Sequence, residues 1–189
     1  MTAVDRIALS PPIRVATKTD IPGVVSLYKS FMQEITDANS QHDFSSYREN
    51  AINNELLKLE DYYLKPSKNT FFVVEIKNRI CASIGIERVS SVTAEIRRLL
   101  VLAEHRRQGM AIQLMNRVEA ECLSLGYQEI ILETSELQQA SVSLYKKLDY
   151  IRDDESVTDT APHKGVKSLR RYRFRKKLVK VLPSETSGI

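Results

Sequence analysis

Three strand-like segments in succession, followed at once by an amphipathic helix, constrain the fold of this chain more than any other feature. The runs TFFVVEI (70–76), ICASIGIERVS (80–90) and EIRRLLVL (95–102) are rich in β-branched residues and are separated by short polar turns. Apolar residues at helical spacing then run from 109 to 125 and end at Gly126. Strands that lead directly into such a helix predict a layered α/β fold.

The rest of the chain supplies the outer elements. IRVAT (13–17) has strand character, Asp20 and Pro22 mark the start of a helix, and a second helical pattern covers 52–63. EIILET (129–134) predicts a buried strand, Ser135 the start of another helix, and YIRDD and LRRYRFRKKL two last strands. The expected order is β-α-α-β-β-β-α-β-α-β-β, with one domain over 13–178 between tails at 1–12 and 179–189.

Cysteine usage and hydropathy indicate where such a chain works. Only two cysteines occur, Cys81 and Cys122, and each lies inside an apolar periodic segment, so we expect buried free thiols in a reducing compartment. No window approaches the roughly 20 apolar residues that a membrane span needs. These features predict a cytoplasmic protein with no membrane partner.

The positive charge of the chain is concentrated near its end. The segment KSLRRYRFRKKLVK (167–180) holds eight of the 28 basic residues and no acid, and the polar run 153–167 before it is a long loop. The alternation of Arg171, Arg173 and Arg175 with Tyr172 and Phe174 fits a half-buried strand with a solvated basic face. The alternative is a patch for an acidic substrate, nucleic acid or phosphates. Because the charge is local, a nucleic-acid partner is not favoured.

The stretch EHRRQGMAIQLM (104–115) joins the third central strand to the helix and has an unusual helix start. It places Arg106 and Arg107 where Ser, Thr, Asp or Asn would normally cap the helix. Unpaired amide groups at a helix N-terminus bind phosphate readily, and Gly109 has no side chain to hold a ligand away. The stretch therefore predicts a pyrophosphate site, with a solvated basic turn as the alternative.

Two separate motifs carry a resemblance to a known family. Arg106, Gly109 and Ala111 fit the pattern [Q/R]-x-x-G-x-[G/A] between a strand and a long helix, and LETSELQQASVSLYKKLDY (132–150) follows downstream. In both, the sequence resembles the GNAT superfamily of acetyl-CoA-dependent N-acetyltransferases over residues 13–178. The L-Q-Q and L-Y pattern is similar to its camello-like branch, although the hydrophobic membrane segment of that branch is not found here.

The resemblance implies a fold and a place for acetyl-CoA. The expected fold is a mixed, mostly antiparallel sheet of about seven strands with four helices, and a V-shaped opening lies between the fourth and fifth strands. The pantetheine would pair with Leu100, Val101 and Leu102. The pyrophosphate would lie on the loop formed by Arg106, Arg107, Gln108, Gly109, Met110 and Ala111. The three histidines lack the spacing of zinc ligands, so no metal is expected.

Two side chains are candidates for catalysis. Tyr145 matches a superfamily tyrosine that often protonates the departing thiolate; a phenol with a pKa near 10 suits a thiol with a pKa of about 8.5. Its alternative role is that of a core aromatic. Glu95 is the candidate general base, acting through water, and its alternative is a salt bridge to Arg97. Glu133 on the adjacent strand is a rival base.

Two further positions have their own alternatives. Gln138 matches the place of a superfamily asparagine that contacts the cofactor arm, but Ser135 and Gln138 also fit a capping box. Asp149 stands where the superfamily often has glycine, and aspartate tolerates a left-handed backbone better than most residues.

These observations predict direct transfer of an acetyl group from acetyl-CoA to an amine. The acceptor stays open among small amines, amino-acid conjugates and protein amines, and residues 28–47, 153–167 and the last hairpin would shape its site. The alternative is a non-catalytic acyl-CoA-binding or nucleic-acid-binding module on the same fold. A homodimer formed through strand edges is compatible with either function.

Overall fold

The computed structural model describes residues 11–39, 42–153 and 169–179. Most of both predicted tails and nearly all of the 153–167 loop lie outside these ranges. The strands are β1 Ile13–Val15, β2 Thr70–Ile76, β3 Arg79–Arg88, β4 Thr93–Val101, β5 Glu129–Ser135, β6 Ile151–Asp153 and β7 Arg171–Lys177. The helices are α1 Ile21–Ala38, α2 Ser45–Asn54, α3 Met110–Ser124 and α4 Gln139–Lys147.

The seven strands form one sheet in the order β1-β2-β3-β4-β5-β7-β6. Every neighbouring pair is antiparallel except β4 and β5, which are parallel. The predicted order of elements and the mixed, mostly antiparallel sheet are confirmed.

Apolar residues on the two faces of the sheet form two cores. On β2, Phe72 and Val74 pack with α3 and α4, whereas Phe71 and Val73 pack with α1 and α2. This alternation follows from the two-residue period of a strand. The predicted inner face of α3 is also confirmed, because Leu114, Met115, Val118 and Cys122 are fully buried.

The helical pattern predicted over 52–63 is broken at one residue. Helix α2 ends at Asn54, Glu55 has φ −129° and ψ −63°, and a 3₁₀ turn (Leu56–Lys58) and a π turn (Glu60–Leu64) follow. The predicted apolar residues of this stretch are nevertheless all buried. A charged side chain, Glu55, lies at the break and is buried with them.

Strand β4 contains a bulge close to its middle. Gly85 of β3 faces Arg97 and Ser83 faces Leu100, so Arg98 and Leu99 together stand opposite the single residue between them. Arg98 has a left-handed backbone, with φ +54°. Two residues against one are the signature of a β-bulge, which bends the strand and re-aims its side chains.

The sheet opens just beyond the paired part of β4 and β5. Their parallel pairing runs from Thr93 and Glu129 to Ile96 and Leu132 and then stops. Strand β4 continues on β3 to Val101, and β5 continues on β7 to Ser135. The facing edges of the two strands therefore diverge, which is the V-shaped opening that the resemblance implied.

Gly126 allows a test of backbone conformation alone. Its φ is +85°, and a Cβ built there would meet nothing within 4 Å. We predict that Gly126→Ala lowers the free energy of unfolding by about 1 kcal/mol, because only the left-handed backbone penalises the methyl group. Urea denaturation measures this, with Gly126→Asn as the matched control.

Asparagine tolerates the left-handed region, so Gly126→Asn should cost less than Gly126→Ala. Equal losses in the two variants would show that the backbone conformation at this position is not the cause.

Candidate active site

A cavity of about 490 Å³ lies at the opening between β4 and β5. One wall consists of Glu95 to Leu100 of β4, and Glu133, Thr134 and Ser135 of β5 form another. Side chains of α1, α2 and α4 complete it, among them Tyr28, Tyr47, Gln138 and Tyr145. The cavity thus brings together five residues that the sequence predicted, namely Glu95, Leu100, Glu133, Gln138 and Tyr145.

The loop before α3 presents a row of unpaired amide groups. The first helical hydrogen bond runs from the Gln113 amide to the Gly109 carbonyl at 3.0 Å. Within the described residues, the amides of 107–112 donate to no backbone carbonyl. Arg107 and Gly109 have φ values of +63° and +83°, and turns of this kind create concavities that bind anions. The loop therefore has the donors of a phosphate site.

The two arginines of this loop differ in their surroundings. Arg106 donates from Nε to the Val101 carbonyl at 2.8 Å, and its Nη2 lies 2.8 Å from the Glu34 carboxylate of α1. Arg107 and Gln108 are exposed at the tip of the loop, while the Met110 side chain is buried in the core. Of Met110, only the backbone amide is therefore placed to meet a ligand.

The predicted pantetheine residues are not equivalent. The Leu102 amide donates to the Cys81 carbonyl of β3 at 2.9 Å, so it is not available to the opening. The Val101 carbonyl accepts from Arg106. Leu100 is buried and lines the cavity together with Leu99. The free edge of β4 therefore consists of the segment 97–101 rather than of Leu102.

The sequence left two roles open for Tyr145, a core aromatic and a catalytic acid, and its surroundings fit both. Its ring packs with Phe174 and Tyr150 at centroid distances of 5.5 and 6.1 Å, as a core aromatic would. It also lines the cavity. Burial raises the pKa of Tyr145 to about 12, and a hydrogen bond with Ser141 opposes that rise. Its hydroxyl is therefore protonated at neutral pH.

Glu95 is half-buried at the paired end of the opening. The salt bridge that was its alternative is wrong, because the Arg97 guanidinium lies 2.6 Å from Glu87 and 3.2 Å from Glu55 instead. Burial raises the pKa of Glu95. The charges of Glu87 and Glu133 act in the same direction, and those of Arg97 and Arg173 oppose it.

Glu133, the rival base, forms ion pairs with arginines of the basic strand β7. Arg173 donates to Glu133 at 2.8 Å and 3.2 Å, and the Arg171 guanidinium lies 4.0 Å from the same carboxylate. Lys176 binds Glu119 in the same way, 2.8 Å away. Phe174 between them is fully buried. These contacts agree with the prediction of a half-buried strand with a basic face. The acids in these contacts lie on β5 and α3.

The start of α4 differs from the prediction. Ser135 is the last residue of β5, and α4 begins at Gln139 with Gln138 as its N-cap. The Gln138 amide oxygen accepts a hydrogen bond from the Thr134 hydroxyl at 3.0 Å. The capping box is therefore wrong, because the strand extends through Ser135 and leaves no free cap there. Asp149, in contrast, has the left-handed backbone that was expected, with φ +62°.

The chain matches a known protein family in its sequence. The sequence profile of the Acetyltransferase (GNAT) family matches residues 26–150. The chain belongs to the GNAT family. Residues 95–150, which carried the resemblance, lie wholly inside the matched region.

Individual relatives agree with this family. The chain is 28% identical to N-acetylaspartate synthetase of Danio rerio over 130 residues, which cover 68% of this chain and 46% of that protein. It is 20% identical to the protein named Probable N-acetyltransferase camello of Xenopus tropicalis, over 64% of this chain and 56% of that one. The chain thus spans about half the length of these relatives.

A solved structure supports the fold. The yncA protein of Salmonella typhimurium, whose structure contains its cofactor acetyl-CoA, superposes with a TM-score of 0.70 at 16% identity. The match covers 94% of this chain and 99% of that one. Among the described helices of this GNAT domain, none is long and apolar enough to cross a membrane.

One buried carboxylate of the site was missed in the sequence. Glu55 is 5% exposed and accepts hydrogen bonds from Tyr63, Arg97 and Arg98. Burial disfavours its ionised form, but the hydrogen bonds and charge of Arg98, with the charge of Arg97, outweigh that effect and lower the pKa of Glu55. Its spacing was a usable signal, since it lies three residues after Ile52 and four before Leu59 on the apolar face.

The environment of Glu95 leads to a prediction about stability. A carboxyl whose pKa is raised by folding lowers stability above that pKa, and the loss vanishes below the ordinary value of about 4.3. We therefore predict that Glu95→Gln raises the urea midpoint at pH 7. The gain should shrink as the pH falls and should be absent below about pH 4.

Glu133→Gln on the neighbouring strand is the matched control for this measurement. It removes a partly exposed ion pair with Arg173, so no gain at pH 7 is expected. A lower midpoint for Glu95→Gln than for the unchanged protein at pH 7 would contradict the environment described for Glu95.

Proposed function

We propose that this chain transfers the acetyl group of acetyl-CoA directly to an amine, with residues 13–178 as one N-acetyltransferase domain. The observation that carries the proposal is the opening between β4 and β5. A loop of unpaired amides lies at the end of β4, and Tyr145 and Glu95 line the adjoining cavity. Membership of the GNAT family supports the same activity.

The binding of acetyl-CoA would fall to three groups of residues. The amides of 107–112 and the half positive charge of the α3 N-terminus suit the pyrophosphate. The unpaired edge of β4 at 97–101 would take the pantetheine amides as an added strand. The Gln138 side chain lines the cavity at the start of α4 and is our candidate for a contact with the cofactor arm. When bound, acetyl-CoA supplies an activated thioester carbonyl.

Tyr145 would protonate the departing thiolate. Its hydroxyl is held in a buried aromatic cluster, so its position is fixed, and it is protonated across the physiological range. Partial desolvation in the cavity raises the basicity of the thiolate, which helps a phenol of raised pKa to donate its proton. The described contacts of Tyr145 do not include a competing carboxylate.

Glu95 would take a proton from the amine, through water. A base must be ionised and yet basic enough to accept a proton, and a raised pKa improves the second property. Glu133 is a weaker candidate because Arg173 donates two hydrogen bonds to it. The absence of an ion-pair partner for Glu95 within the described residues favours it further.

The first acceptor class to test is an amino acid with a free α-amine. One relative is named an N-acetylaspartate synthetase, so its acceptor is a carboxylate-bearing amine. Arg171 lines the same cavity as Glu95, and its one described ion-pair contact is the 4.0 Å approach to Glu133. A guanidinium in this position suits a carboxylate on the acceptor.

We further propose a cytoplasmic location. Cys81 and Cys122 are both buried free thiols, which fits a reducing compartment. A homodimer formed by strand exchange or by pairing of strand edges stays a prediction.

Acetyl-CoA-dependent thiol release tests the proposed function. We predict turnover with at least one class in a panel of amino acids, cysteine conjugates, polyamines and peptides. Tyr145→Phe should lower kcat by about 100-fold, because the leaving thiolate then lacks its proton donor. Tyr150→Phe is the matched control: it removes a buried phenol hydroxyl of the same cluster, away from the cavity, and should leave kcat within about threefold.

Binding of CoA without turnover on any amine would instead favour the non-catalytic acyl-CoA-binding module. A full kcat in Tyr145→Phe would contradict the role given to this tyrosine.

A further inference from the structure

Two consecutive arginines of β4 bind one buried carboxylate. The Arg98 guanidinium donates through Nε to Glu55 at 2.9 Å and through Nη2 to its second oxygen, and Arg97 donates to that oxygen at 3.2 Å. Tyr63 donates its hydroxyl to Glu55 as well. Glu55 and Arg98 are almost fully buried, with side chains 6% and 11% exposed.

A regular strand could not make this arrangement. Successive side chains of a strand point to opposite faces, so Arg97 and Arg98 would lie on different sides of the sheet. Here both reach Glu55 on the α1 and α2 side, because the bulge adds a residue at this place and gives Arg98 a φ of +54°. The two arginines can therefore share the carboxylate only where the strand bulges.

The bulge is held from two further directions. The Ser83 hydroxyl of β3 donates to the Arg98 carbonyl at 3.0 Å, which fixes the backbone. The Arg98 guanidinium lies over the Tyr28 ring of α1, 5.1 Å from its centroid. Since a non-glycine residue in the left-handed region is strained, such contacts are what keep it there.

The bulge lies where the opening begins. Pairing of β4 with β5 ends at Ile96, and the next residues, Arg97 to Leu100, line the cavity. Leu99 is part of the bulge and Val101 lies two residues beyond it, so the path of the free edge depends on the bulge. Any group that sets the bulge also sets this edge.

We propose that Glu55 is a positioning residue for acetyl transfer. By binding Arg97 and Arg98 together it holds the bulge, and through it the free edge of β4, in the geometry in which the thioester meets Tyr145 and the amine. This inference rests on the proposed function. Glu55 itself acts through Arg98 and donates no proton.

The first test is the variant Glu55→Gln. We expect kcat at saturating acetyl-CoA to fall by about 10- to 100-fold per folded molecule, since small misplacements of reacting groups have effects of this size. The KM for acetyl-CoA should change less than about threefold, because the amides of 107–112 are untouched. A merely structural role would lower the folded fraction and leave kcat per folded molecule intact.

Two further variants separate position from stability. In Glu55→Gln with Arg98→Met, no unpaired charge of this pair stays buried, so the melting temperature should recover while kcat stays low. Ile52→Ala in helix α2, three residues before Glu55, removes buried apolar contact without touching the ion pairs, so it should lower the melting temperature and keep kcat.

If Glu55→Gln fails to fold, Ser83→Ala tests the same bulge from the other side. It removes only the hydroxyl that donates to the Arg98 carbonyl. We expect a drop in kcat of about threefold or more, with an unchanged KM for acetyl-CoA. A wild-type kcat in Glu55→Gln or in Ser83→Ala, with the bulge retained, overturns the positioning role.

Failure of the proposed function is distinguishable from failure of this inference. The first appears as no turnover by the unchanged protein on any amine. In that case the amide chemical shifts of Leu99 and Val101 in the same variants still decide: shifts displaced in Glu55→Gln, but not in Ile52→Ala, support the role of Glu55, and unchanged shifts overturn it.

Discussion

The hydrogen bonding that β4 and β5 lack beyond Ile96 and Leu132 is the constraint on which the site depends. Unpaired strand edges are normally a liability, because their amide and carbonyl groups invite another strand. Here the edges face each other across a cavity closed by α1, α2 and α4, so an extended ligand of the right length can satisfy them. The loop at the end of β4 adds further amide donors. The strand edges and this loop together form one continuous row of polar backbone groups.

The two inner carboxylates illustrate how environment separates structural from chemical roles. Glu55 is surrounded by guanidinium groups, and the pKa of its carboxyl is lowered in spite of burial. Glu95 lies nearby without such a partner, and burial raises the pKa of its carboxyl. Arg98 makes most of this difference, because its guanidinium binds Glu55, whereas the ion pairs of Arg97 are with Glu55 and Glu87. Because no ion pair compensates the burial of the Glu95 carboxylate, the folded protein is less stable at neutral pH. The same raised pKa makes this carboxylate a better base.

The sequence predicted the elements well and their junctions less well. The strand and helix periods, Gly126 and the Asp20–Pro22 start were local signals, so β2, α1 and α3 emerged nearly as observed. The predicted start of α4 at Ser135 was wrong, because β5 extends through Ser135 by pairing with β7, which is a long-range contact. The inward position of Glu55 could be read from its helical spacing, but its partners depend on a bulge in a distant strand. No local pattern records that bulge, although the pair Arg97–Arg98 in a strand was a hint.

Acetyl-CoA should occupy the opening between β4 and β5. Amide-resolved NMR of the isotope-labelled protein, titrated with acetyl-CoA, tests this most directly. We predict saturable shifts concentrated in residues 107–112 and in Leu99 and Val101, with smaller effects elsewhere. Shifts centred instead on the second cavity of about 370 Å³, lined by Arg14, Glu75 and Arg79, or no saturable shifts at all, would contradict it.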